Sequence, residues 1–423
     1  MDLLAELEWR GLLYDASEGL RNALAAGPMT GYIGFDPTAP SLHVGSLLMI
    51  MGLAHLQRAG HHPIAIVGGG TGLIGDPSGK TEERQLLTLE TVQANVEAIR
   101  AQLARFLDFD RAGNPARIVN NADWLVPMGL MTFLRDVGKH FTVNYMIAKE
   151  SVKRRLESED GISYTEFSYL LTQAYDFVML YDRYGCTLQM GGSDQWGNIT
   201  AGIDLMRKIR GARGHALVMP LVTTSAGVKF GKTEAGAVWL DPDQTLPFRF
   251  YQFWLNVDDR DVVRYLKFFT FMTRDEIDAL ARTAAERPER REAQRALART
   301  VTAMVHGQEQ VERAERAAAL LFSDDLASAA VEDVLMVLED APSTEVAMPP
   351  DGVTVIDLLT ITRLAPSKSE AVRLVKSGGV YVNNVRASDE RARVTADRAI
   401  GGQVLVLRKG RKDQHIVKLR VRR

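Results

Sequence analysis

Apolar and polar residues follow two alternating patterns along the first part of the chain. Short apolar runs typical of buried strands occur at 30–37 (TGYIGFDP), 62–70 (HPIAIVGGG) and 117–124 (RIVNNADW). Between them, 46–60 (SLLMIMGLAHLQRAG) and 91–107 (TVQANVEAIRAQLARFL) have helical spacing. The alternation predicts an α/β fold with a Rossmann-like parallel sheet over residues 1–225. Ligands of such sheets bind outside the carboxyl ends of the strands.

The pattern changes after this domain. Residues 246–340 have helical spacing and are rich in Ala, Glu and Arg, which predicts a helical domain reached through a connection at 226–245. An acidic stretch ending in Pro-Pro-Asp-Gly predicts a linker at 341–352. Residues 353–423 show two helical runs, a strand entering Asn-Asn and a basic hairpin, which predicts a small α+β domain.

Charge divides the chain in the same place. The net charge of the 423 residues is −2, but residues 351–423 carry 16 Lys and Arg against 7 Asp and Glu. The remainder carries 35 basic against 46 acidic residues. An acidic body with a basic terminal domain indicates a polyanionic partner for that domain.

The cysteine count and the hydropathy of the chain indicate its cellular compartment. The single cysteine, Cys186, can form neither an intrachain disulfide nor a thiolate zinc site, so we expect a reducing compartment. We assign no residue to a metal. The N-terminal segment lacks the basic region of a signal peptide, and the longest apolar run is too short to span a membrane. We therefore expect a cytoplasmic protein without membrane partners.

Two phosphate-loop motifs near residue 75 are imperfect. Residues 70–75 fit G-x-G-x-x-G, but Asp-Pro-Ser-Gly follows where a dinucleotide site needs a helix. Residues 75–81 resemble a P-loop with one residue too few, and Pro77 lacks a backbone N–H. Both readings are disfavoured, and with them an NAD-linked oxidoreductase. An irregular loop whose glycines let backbone approach a ligand is the simpler interpretation.

Two other segments together predict a nucleotide site. His43 and Ser46 share one face of the first turn of a predicted helix, where unpaired N–H groups favour an anion, and Gly45 leaves room for a ligand. In the segment KFGKT, Lys229 and Lys232 bracket a glycine. Two ammonium groups at this spacing could clamp a triphosphate and neutralise charge as pyrophosphate leaves.

These motifs resemble the HIGH and KMSKS signatures of class I aminoacyl-tRNA synthetases. Further blocks, such as YIGFDPTAPSLHVGSL, TEFSYLLTQAYDF and LQMGGSDQWGNITAG, are similar to those of the bacterial tyrosyl-tRNA synthetases. The tail from Val353 resembles the small RNA-binding domain that recurs at their C-terminus. The resemblance implies activation of L-tyrosine with ATP to tyrosyl-adenylate and pyrophosphate, then transfer to the 3′ end of tRNA(Tyr). It also implies a homodimer, Mg²⁺ accompanying ATP as substrate, and no tightly bound cofactor.

The resemblance assigns residues to the tyrosine pocket. Tyr32 and Asp176 match positions that bind the phenolic hydroxyl, and Asp76, Tyr169 and Gln173 match those that bind the ammonium group. Gln195 is assigned to the same pocket. The sequence supports this placement, because Tyr169, Gln173 and Asp176 fall at i, i+4 and i+7 on one helix face. A buried acceptor paired with the phenol would also explain rejection of phenylalanine, which would leave Asp176 unpaired.

The resemblance also assigns residues to ATP. The nucleotide loop comprises Gly34, Asp36, Thr38, His43 and Gly45. The ribose and adenine wall comprises Gly191, Gly192, Asp194 and Gln195, and the cations that stabilise the transition state are Lys80, Arg84, Lys229 and Lys232. Ser46 replaces the second histidine of HIGH; its hydroxyl can bind ribose or phosphate but is never cationic, so its role stays open.

In the tail, basic residues predict a salt-dependent RNA surface. They are Arg363, Lys368, Arg373, Lys376, Arg386, Lys409, Arg411 and Lys412. Two alternatives remain open at this stage. A tryptophan-specific relative should lack the residues that read the phenol. An RNA-binding protein with an inactive synthetase-like fold would have no use for the lysine pair and the Tyr/Gln/Asp stripe.

Overall fold

The computed structural model describes residues 2–78, 87–157, 161–228, 230–233, 236–320, 326, 329–338, 341–410 and 413–420. Five residues with predicted roles lie outside these ranges: Lys80, Arg84, Lys229, Arg411 and Lys412. Of Lys232 only the backbone is described. The chain divides into two compact units, Met1–Val305 and His306–Arg423. The domain boundaries predicted from the sequence remain predictions.

The first unit is organised around a six-stranded sheet. Its strands are β1 (Asp15–Ala16), β2 (Thr30–Phe35), β3 (His62–Val67), β4 (Arg117–Asn120), β5 (Cys186–Gly192) and β6 (His215–Met219). The spatial order is β1-β6-β5-β2-β3-β4, and every neighbouring pair is parallel except β1 and β6. The prediction of a parallel α/β sheet is confirmed.

Helices precede, connect and follow these strands. They are α1 (Leu3–Arg10), α2 (Leu20–Ala26), α3 (Val44–Arg58), α4 (Leu89–Leu103), α5 (Ala122–Leu125), α6 (Leu130–Asp136), α7 (Val143–Ile147), α8 (Glu150–Leu156), α9 (Tyr164–Tyr184), α10 (Trp196–Arg210), α11 (Pro247–Leu255), α12 (Asp259–Phe269), α13 (Arg274–Glu286) and α14 (Glu292–His306). Two short strands, β7 (Lys232–Thr233) and β8 (Gly236–Ala237), form a separate antiparallel pair.

Alternating side chains of β2 contact different helices on the two faces of the sheet. Tyr32 belongs to the core that includes Phe177 of α9 and Ala201 of α10. A Cβ on Gly31, the preceding residue, would lie 3.0 Å from a methyl of Leu56 in α3. The period-two alternation of a strand therefore places α3 on one face and α9 with α10 on the other.

Local signals fix the ends of the helices near the sheet. Ser163 caps α9 by accepting a hydrogen bond from Glu166 N–H, and the helix ends at Gly185, whose φ of 62° is left-handed. His43 caps α3 in the same manner through its imidazole. The long apolar run after His43 buries most of α3, as its pattern predicts.

A buried arginine fixes the end of α12. Arg10 of α1 donates to the carbonyls of Lys267, Thr270 and Met272 at distances of 2.8 to 2.9 Å, and to Glu6. The last carbonyls of a helix lack partners within the helix, so this guanidinium satisfies groups that would otherwise be buried and unpaired. It joins α12 firmly to α1.

The second unit is an α+β structure, as predicted for the tail. Its elements are α15 (Gln308–Leu320), α16 (Val331–Val337), β9 (Ser343–Val346), β10 (Val353–Thr354), α17 (Val355–Ile361), α18 (Lys368–Lys376), β11 (Val380–Val382), β12 (Val385–Arg386), β13 (Arg393–Val394), β14 (Val404–Lys409) and β15 (Asp413–Leu419). Asn383 and Asn384 both have positive φ and form the tight turn between β11 and β12. Within the stretch predicted as a linker, β9 pairs in parallel with β15.

Two further features concern helix hydropathy and the single cysteine. Among the described residues, no helix is long and apolar enough to cross a membrane. Cys186 is fully buried at the start of β5, and burial raises the pKa of its thiol to about 12.

Candidate active site

The carboxyl ends of β2 and β5 form the centre of the candidate site. These neighbours are not consecutive in the chain, since β3 and β4 lie beyond β2 and β6 lies beyond β5. The order in which strands are added to the sheet therefore reverses between β2 and β5. Such a reversal opens a crevice at the carboxyl edge of a parallel sheet. Asp36 follows β2, and the residues Ser193–Gln195 form a short 3-10 turn after β5.

The start of α3 meets the described end of the KFGKT segment, residues 230–233, which we call the lysine turn. The carbonyl of Val238 accepts a hydrogen bond from Val44 N–H at 2.9 Å. Gly231 has a φ of 81°, and a Cβ there would lie 2.7 Å from Val44 Cγ2. The structure therefore brings together the backbones of the two segments that resemble HIGH and KMSKS.

The imidazole of His43 has a defined tautomer. Its Nδ1 accepts a hydrogen bond from Gly45 N–H at 3.0 Å, so the neutral ring carries its proton on Nε2. A Cβ on Gly45 would lie 2.7 Å from His43 Cε1, so a side chain there would displace the ring. The glycine thus permits the orientation of the histidine.

Asp176 is a buried carboxylate with two donors. Its Oδ1 accepts from Trp124 Nε1 at 2.8 Å, and its Oδ2 accepts from Asn121 Nδ2 at 3.0 Å. Burial raises the pKa of Asp176 to about 8, although both hydrogen bonds act in the opposite direction. The Tyr32 hydroxyl is also buried and has no hydrogen-bond partner among the described residues. Burial, and then the charge of Asp176, raise the pKa of Tyr32 well above its ordinary value.

Asp36 and Tyr169 are joined directly. Tyr169 donates its hydroxyl proton to Asp36 at 2.8 Å, and Thr71 Oγ1 donates to the other carboxylate oxygen at 2.8 Å. Asn121 donates to Thr71 Oγ1 at 3.0 Å as well as to Asp176. One hydrogen-bond network therefore links residues assigned to the ATP loop with residues assigned to the tyrosine pocket.

A second group of polar side chains surrounds Gln195. Its amide nitrogen donates to Asp76 Oδ2 at 2.9 Å, and its amide oxygen accepts from Gln173 at 3.4 Å. The Gln173 oxygen is buried and has no partner in the described part of the chain. Asp76 also accepts from Ser78 N–H at 2.8 Å. Carboxylate and amide oxygens predominate here, and they suit a cationic ligand group.

Glycines occupy positions where ATP was predicted to bind, so no side chain covers the backbone there. A Cβ on Gly192 would lie 2.5 Å from Asp194 Oδ1, and a Cβ on Gly191 would lie 3.3 Å from Gln195 Cβ. Gly34 lies in β2, and Thr38 donates its N–H to Asp36 O at 2.9 Å. Ser46 donates its N–H to His43 O at 2.8 Å in the first turn of α3.

Three residues of this region were missed by the sequence analysis: Thr71, Asn121 and Trp124. Asn121 and Trp124 follow the carboxyl end of β4, and Thr71 follows β3. The position of a polar side chain directly after a predicted parallel strand was the signal that could have found them. Within the described ranges, no group of three or more His, Cys, Asp or Glu could hold a metal ion.

The basic residues of the second unit differ in their surroundings. Lys368 and Lys376 form ion pairs with Asp357 at 2.7 Å and Glu390 at 3.1 Å, and Arg373 lies 3.6 Å from Glu370. The other three described side chains are Arg363, which is exposed, Arg386, which donates to Ser377 O, and Lys409, which donates to Leu364 O. Arg408, which the sequence did not single out, stacks 4.0 Å above the ring of Tyr381.

Comparison with known proteins gives this geometry a family. Residues 24–323 match the family described as tRNA synthetases class I (W and Y), and residues 333–417 match the tyrosine–tRNA ligase SYY-like C-terminal domain. The chain is 56% identical over 420 residues to the tyrosine–tRNA ligase of Roseiflexus castenholzii, covering 99% of each chain. It is 52% identical over 421 residues to that of Geobacillus stearothermophilus, covering 99% of this chain and 100% of the relative.

Solved structures agree. A C-terminally truncated Aspergillus nidulans mitochondrial tyrosyl-tRNA synthetase matches with a TM-score of 0.70 and 32% identity, covering 76% of this chain and 94% of that one. A tryptophanyl-tRNA synthetase from Encephalitozoon cuniculi shares the fold at 14% identity, with a TM-score of 0.53 and coverage of 73% and 87%.

The chain therefore belongs to the class I tRNA synthetases of the tryptophan and tyrosine family. Its relatives over the full length are tyrosine–tRNA ligases, so the predicted enzyme class and function are confirmed at that level. The tryptophan-specific and inactive alternatives are not favoured.

The ionisation of Asp176 should appear in the pH dependence of stability. Its raised pKa means that the folded chain keeps a proton that the unfolded carboxyl releases near its ordinary value of 3.8. This contribution to stability is present below about pH 4 and is lost as the pH rises to about 8. We expect Asp176→Asn to gain stability relative to the parent between about pH 5 and 8, by up to about 1.4 kcal/mol per pH unit.

Unfolding in urea, followed by tryptophan fluorescence, measures this difference. All five tryptophans precede residue 306, so the signal reports on the first unit. A constant offset between parent and variant over this pH range would contradict the assignment.

Proposed function

We propose that the crevice between β2 and β5 binds L-tyrosine and ATP side by side and joins them as tyrosyl-adenylate, before tyrosine passes to the 3′ end of tRNA(Tyr). The observation that carries the pocket assignment is the Tyr32 hydroxyl, buried without a partner in the described part of the chain. A buried polar atom left unpaired costs about 1–3 kcal/mol. A ligand hydroxyl that pairs with Tyr32 recovers this cost.

The phenol of the substrate is read by Tyr32 together with Asp176. Asp176 is held by Trp124 and Asn121, so its side chain cannot turn away when the pocket is empty. At the other end of the amino acid, the ammonium group meets oxygens of Asp76, Tyr169 and Gln173. The unpartnered Gln173 oxygen supports this orientation.

ATP lies along the glycines that follow β2 and β5, with its phosphates at the start of α3. His43 presents Nε2–H to a phosphate oxygen, and the N-terminus of α3 adds its positive dipole. Thr38 lies in the loop that follows β2, where its N–H donates to the carbonyl of Asp36. This loop contacts the nucleotide. Ribose and adenine lie against Gly34, Gly45, Gly191, Gly192 and Asp194.

Catalysis then consists of positioning and charge. The tyrosine carboxylate attacks the α-phosphorus of ATP, a new P–O bond forms and pyrophosphate leaves, so no general base is needed. Lys80, Arg84, Lys229 and Lys232 neutralise the charge that develops, with Ser46 as a neutral hydrogen-bonding group nearby. Mg²⁺ accompanies ATP as the counter-ion of its phosphates. We place the enzyme in the cytoplasm, in keeping with a chain whose single cysteine can form no intrachain disulfide.

Tyrosine specificity tests the pocket. ATP–pyrophosphate exchange, measured with each of the twenty amino acids, should be stimulated strongly by tyrosine alone. Tyr32→Phe removes one hydroxyl from the pair that reads the phenol. We expect the preference for tyrosine over phenylalanine in kcat/KM to fall by about tenfold, in line with the loss of one hydrogen bond. An unchanged preference would exclude Tyr32 from recognition.

The second unit is proposed to hold tRNA. Its basic residues Arg363, Lys368, Arg373, Lys376, Arg386, Lys409, Arg411 and Lys412 supply phosphate contacts. The pair of Tyr381 and Arg408 adds a stacked planar surface of the kind that binds unpaired bases. Phosphate contacts of this type weaken as salt rises.

Removal of the tail should separate the two half-reactions. A variant ending at residue 323, where the first family match ends, keeps the crevice and loses the tail. We expect tyrosine-dependent exchange to stay within about twofold of the parent and charging of tRNA(Tyr) to fall by at least about a hundredfold. Loss of both activities, with tyrosine binding retained, would contradict this division of roles.

A homodimer is proposed from an exposed apolar surface around α6. Leu130 is 63% exposed and Tyr164 is 72% exposed, and both line a cleft of about 340 Å³. Val126, Phe133 and Leu134 line the same cleft. Contiguous apolar surface of this kind commonly marks a protein interface, and a second copy of the chain is the occupant that family resemblance implies.

Leu130→Asp should disrupt this dimer. A carboxylate in the middle of an apolar interface loses its hydration, so we expect sedimentation velocity to show half the mass of the parent. Tyr14→Asp is the matched control, because Tyr14 is 67% exposed but lies outside the cleft. A Leu130→Asp protein that sediments like the parent would exclude this surface as the interface.

A further inference from the structure

The segment that precedes the lysine turn, which we call the strap, is held in place by contacts with α12. We define the strap as residues 222–228. Phe230 N–H donates to Val222 O at 3.0 Å, and Thr224 N–H donates to Val228 O at 2.8 Å, so the strap folds back into the lysine turn as a narrow hairpin. Its position is fixed by side chains rather than by the main sheet.

Three polar side chains of α12 contact the strap. Asp261 is only 3% exposed, and its Oδ2 accepts a hydrogen bond from Ser225 N–H at 2.8 Å. Arg264 donates both to Asp261 Oδ1, at 2.8 Å, and to Thr223 O. Tyr265 donates its hydroxyl proton to the same carbonyl at 3.2 Å. A buried carboxylate beside an arginine makes stronger hydrogen bonds than neutral groups do.

An aromatic contact fixes the other side of the hairpin. Phe230 is buried, and its ring lies 4.7 Å from that of Tyr265 and 5.4 Å from that of Phe269, both on α12. Trp254 of α11 lies 5.5 Å away. The chain is thus held by α12 on both sides of Lys229.

The helix that makes these contacts is itself immobilised. Arg10 satisfies carbonyls at its C-terminal end, and Phe271, just beyond it, packs edge-on against His55 of α3 at 5.2 Å. His43 stands at the opposite end of α3. Both phosphate-binding segments are therefore fixed to connected helices, α3 and α12.

We propose that Asp261 is a positioning residue for adenylate formation: together with Arg264 and Tyr265, it sets where the lysine turn meets the start of α3. Asp261 touches neither substrate in this scheme and acts through Ser225. The inference rests on the proposed function, because it requires the lysines to act on the phosphates of ATP. It predicts that loss of Asp261 lowers kcat/KM for ATP in adenylate formation and leaves tyrosine binding unchanged.

Asp261→Ala removes the acceptor, and Asp261→Asn keeps an amide oxygen for Ser225. We expect the alanine variant to lower kcat/KM for ATP in tyrosine-dependent exchange by about ten- to a hundredfold, which corresponds to the loss of a hydrogen bond to a charged group. The dissociation constant of tyrosine, measured by equilibrium dialysis, should change by less than about twofold. The asparagine variant should recover most of the lost activity.

Asp278→Asn is the matched control, since Asp278 is an exposed carboxylate on α13. It should leave exchange unchanged. Should the alanine variant not fold, Tyr265→Phe removes a single hydroxyl and should lower kcat/KM for ATP by about two- to fivefold with unchanged tyrosine binding. Unchanged exchange in both variants, or weaker tyrosine binding that parallels the loss of exchange, would overturn the proposal.

Hydrogen exchange gives a readout that does not depend on activity. In the full-length parent, the Ser225 amide should be protected, and Asp261→Ala should accelerate its exchange by at least about tenfold while amides of β2 stay unchanged. If the Ser225 amide exchanges hydrogen equally fast in the parent and in Asp261→Ala, Asp261 does not hold the strap and the proposal is overturned. A parent without tyrosine-dependent exchange would instead overturn the proposed function, whatever the amide measurement shows.

Discussion

Everything in this enzyme depends on the pairing of β2 with β5. These strands are neighbours in space, yet about 150 residues of β3, β4 and their helices separate them in the chain. Their carboxyl ends point in the same direction, as do those of β3 and β4. Asp36 after β2, Thr71 after β3, Asn121 after β4 and the turn after β5 therefore meet at one edge of the sheet.

The polar network at this edge restricts the side chains of the candidate site. Asp36 and Asp176 are two carboxylates joined by Thr71 and Asn121 through hydrogen bonds of 2.8 to 3.0 Å. Each side chain limits the rotation of the next. Thr71, Asn121 and Asp176 are buried, so rotation of one of them would leave buried polar groups unpaired, which is costly. The donors and acceptors of the candidate pocket are thus directed by one another.

Sequence reasoning succeeded where local periodicity carries the information. The apolar run after His43 forms α3, and the stripe on α9 does place Tyr169, Gln173 and Asp176 along one helix. It could not say which partners these side chains choose, because Asp36, in the loop after β2, and Trp124, in α5, lie far from α9 in the chain. The strap was likewise invisible, since Asp261 looks like an ordinary first-turn acid of an amphipathic helix. The burial of Asp261 results from tertiary packing, which a local sequence pattern does not show.

The lone cysteine has a practical consequence. Cys186 begins a central strand with no solvent exposure, and burial raises the pKa of its thiol to about 12. Thiol reagents act on exposed thiolates, so the native side chain is inert toward maleimides and disulfide reagents. A cysteine introduced anywhere on the surface would be the sole reactive sulfur of the molecule. Fluorophores or spin labels can therefore be attached at a chosen position without first removing a native thiol.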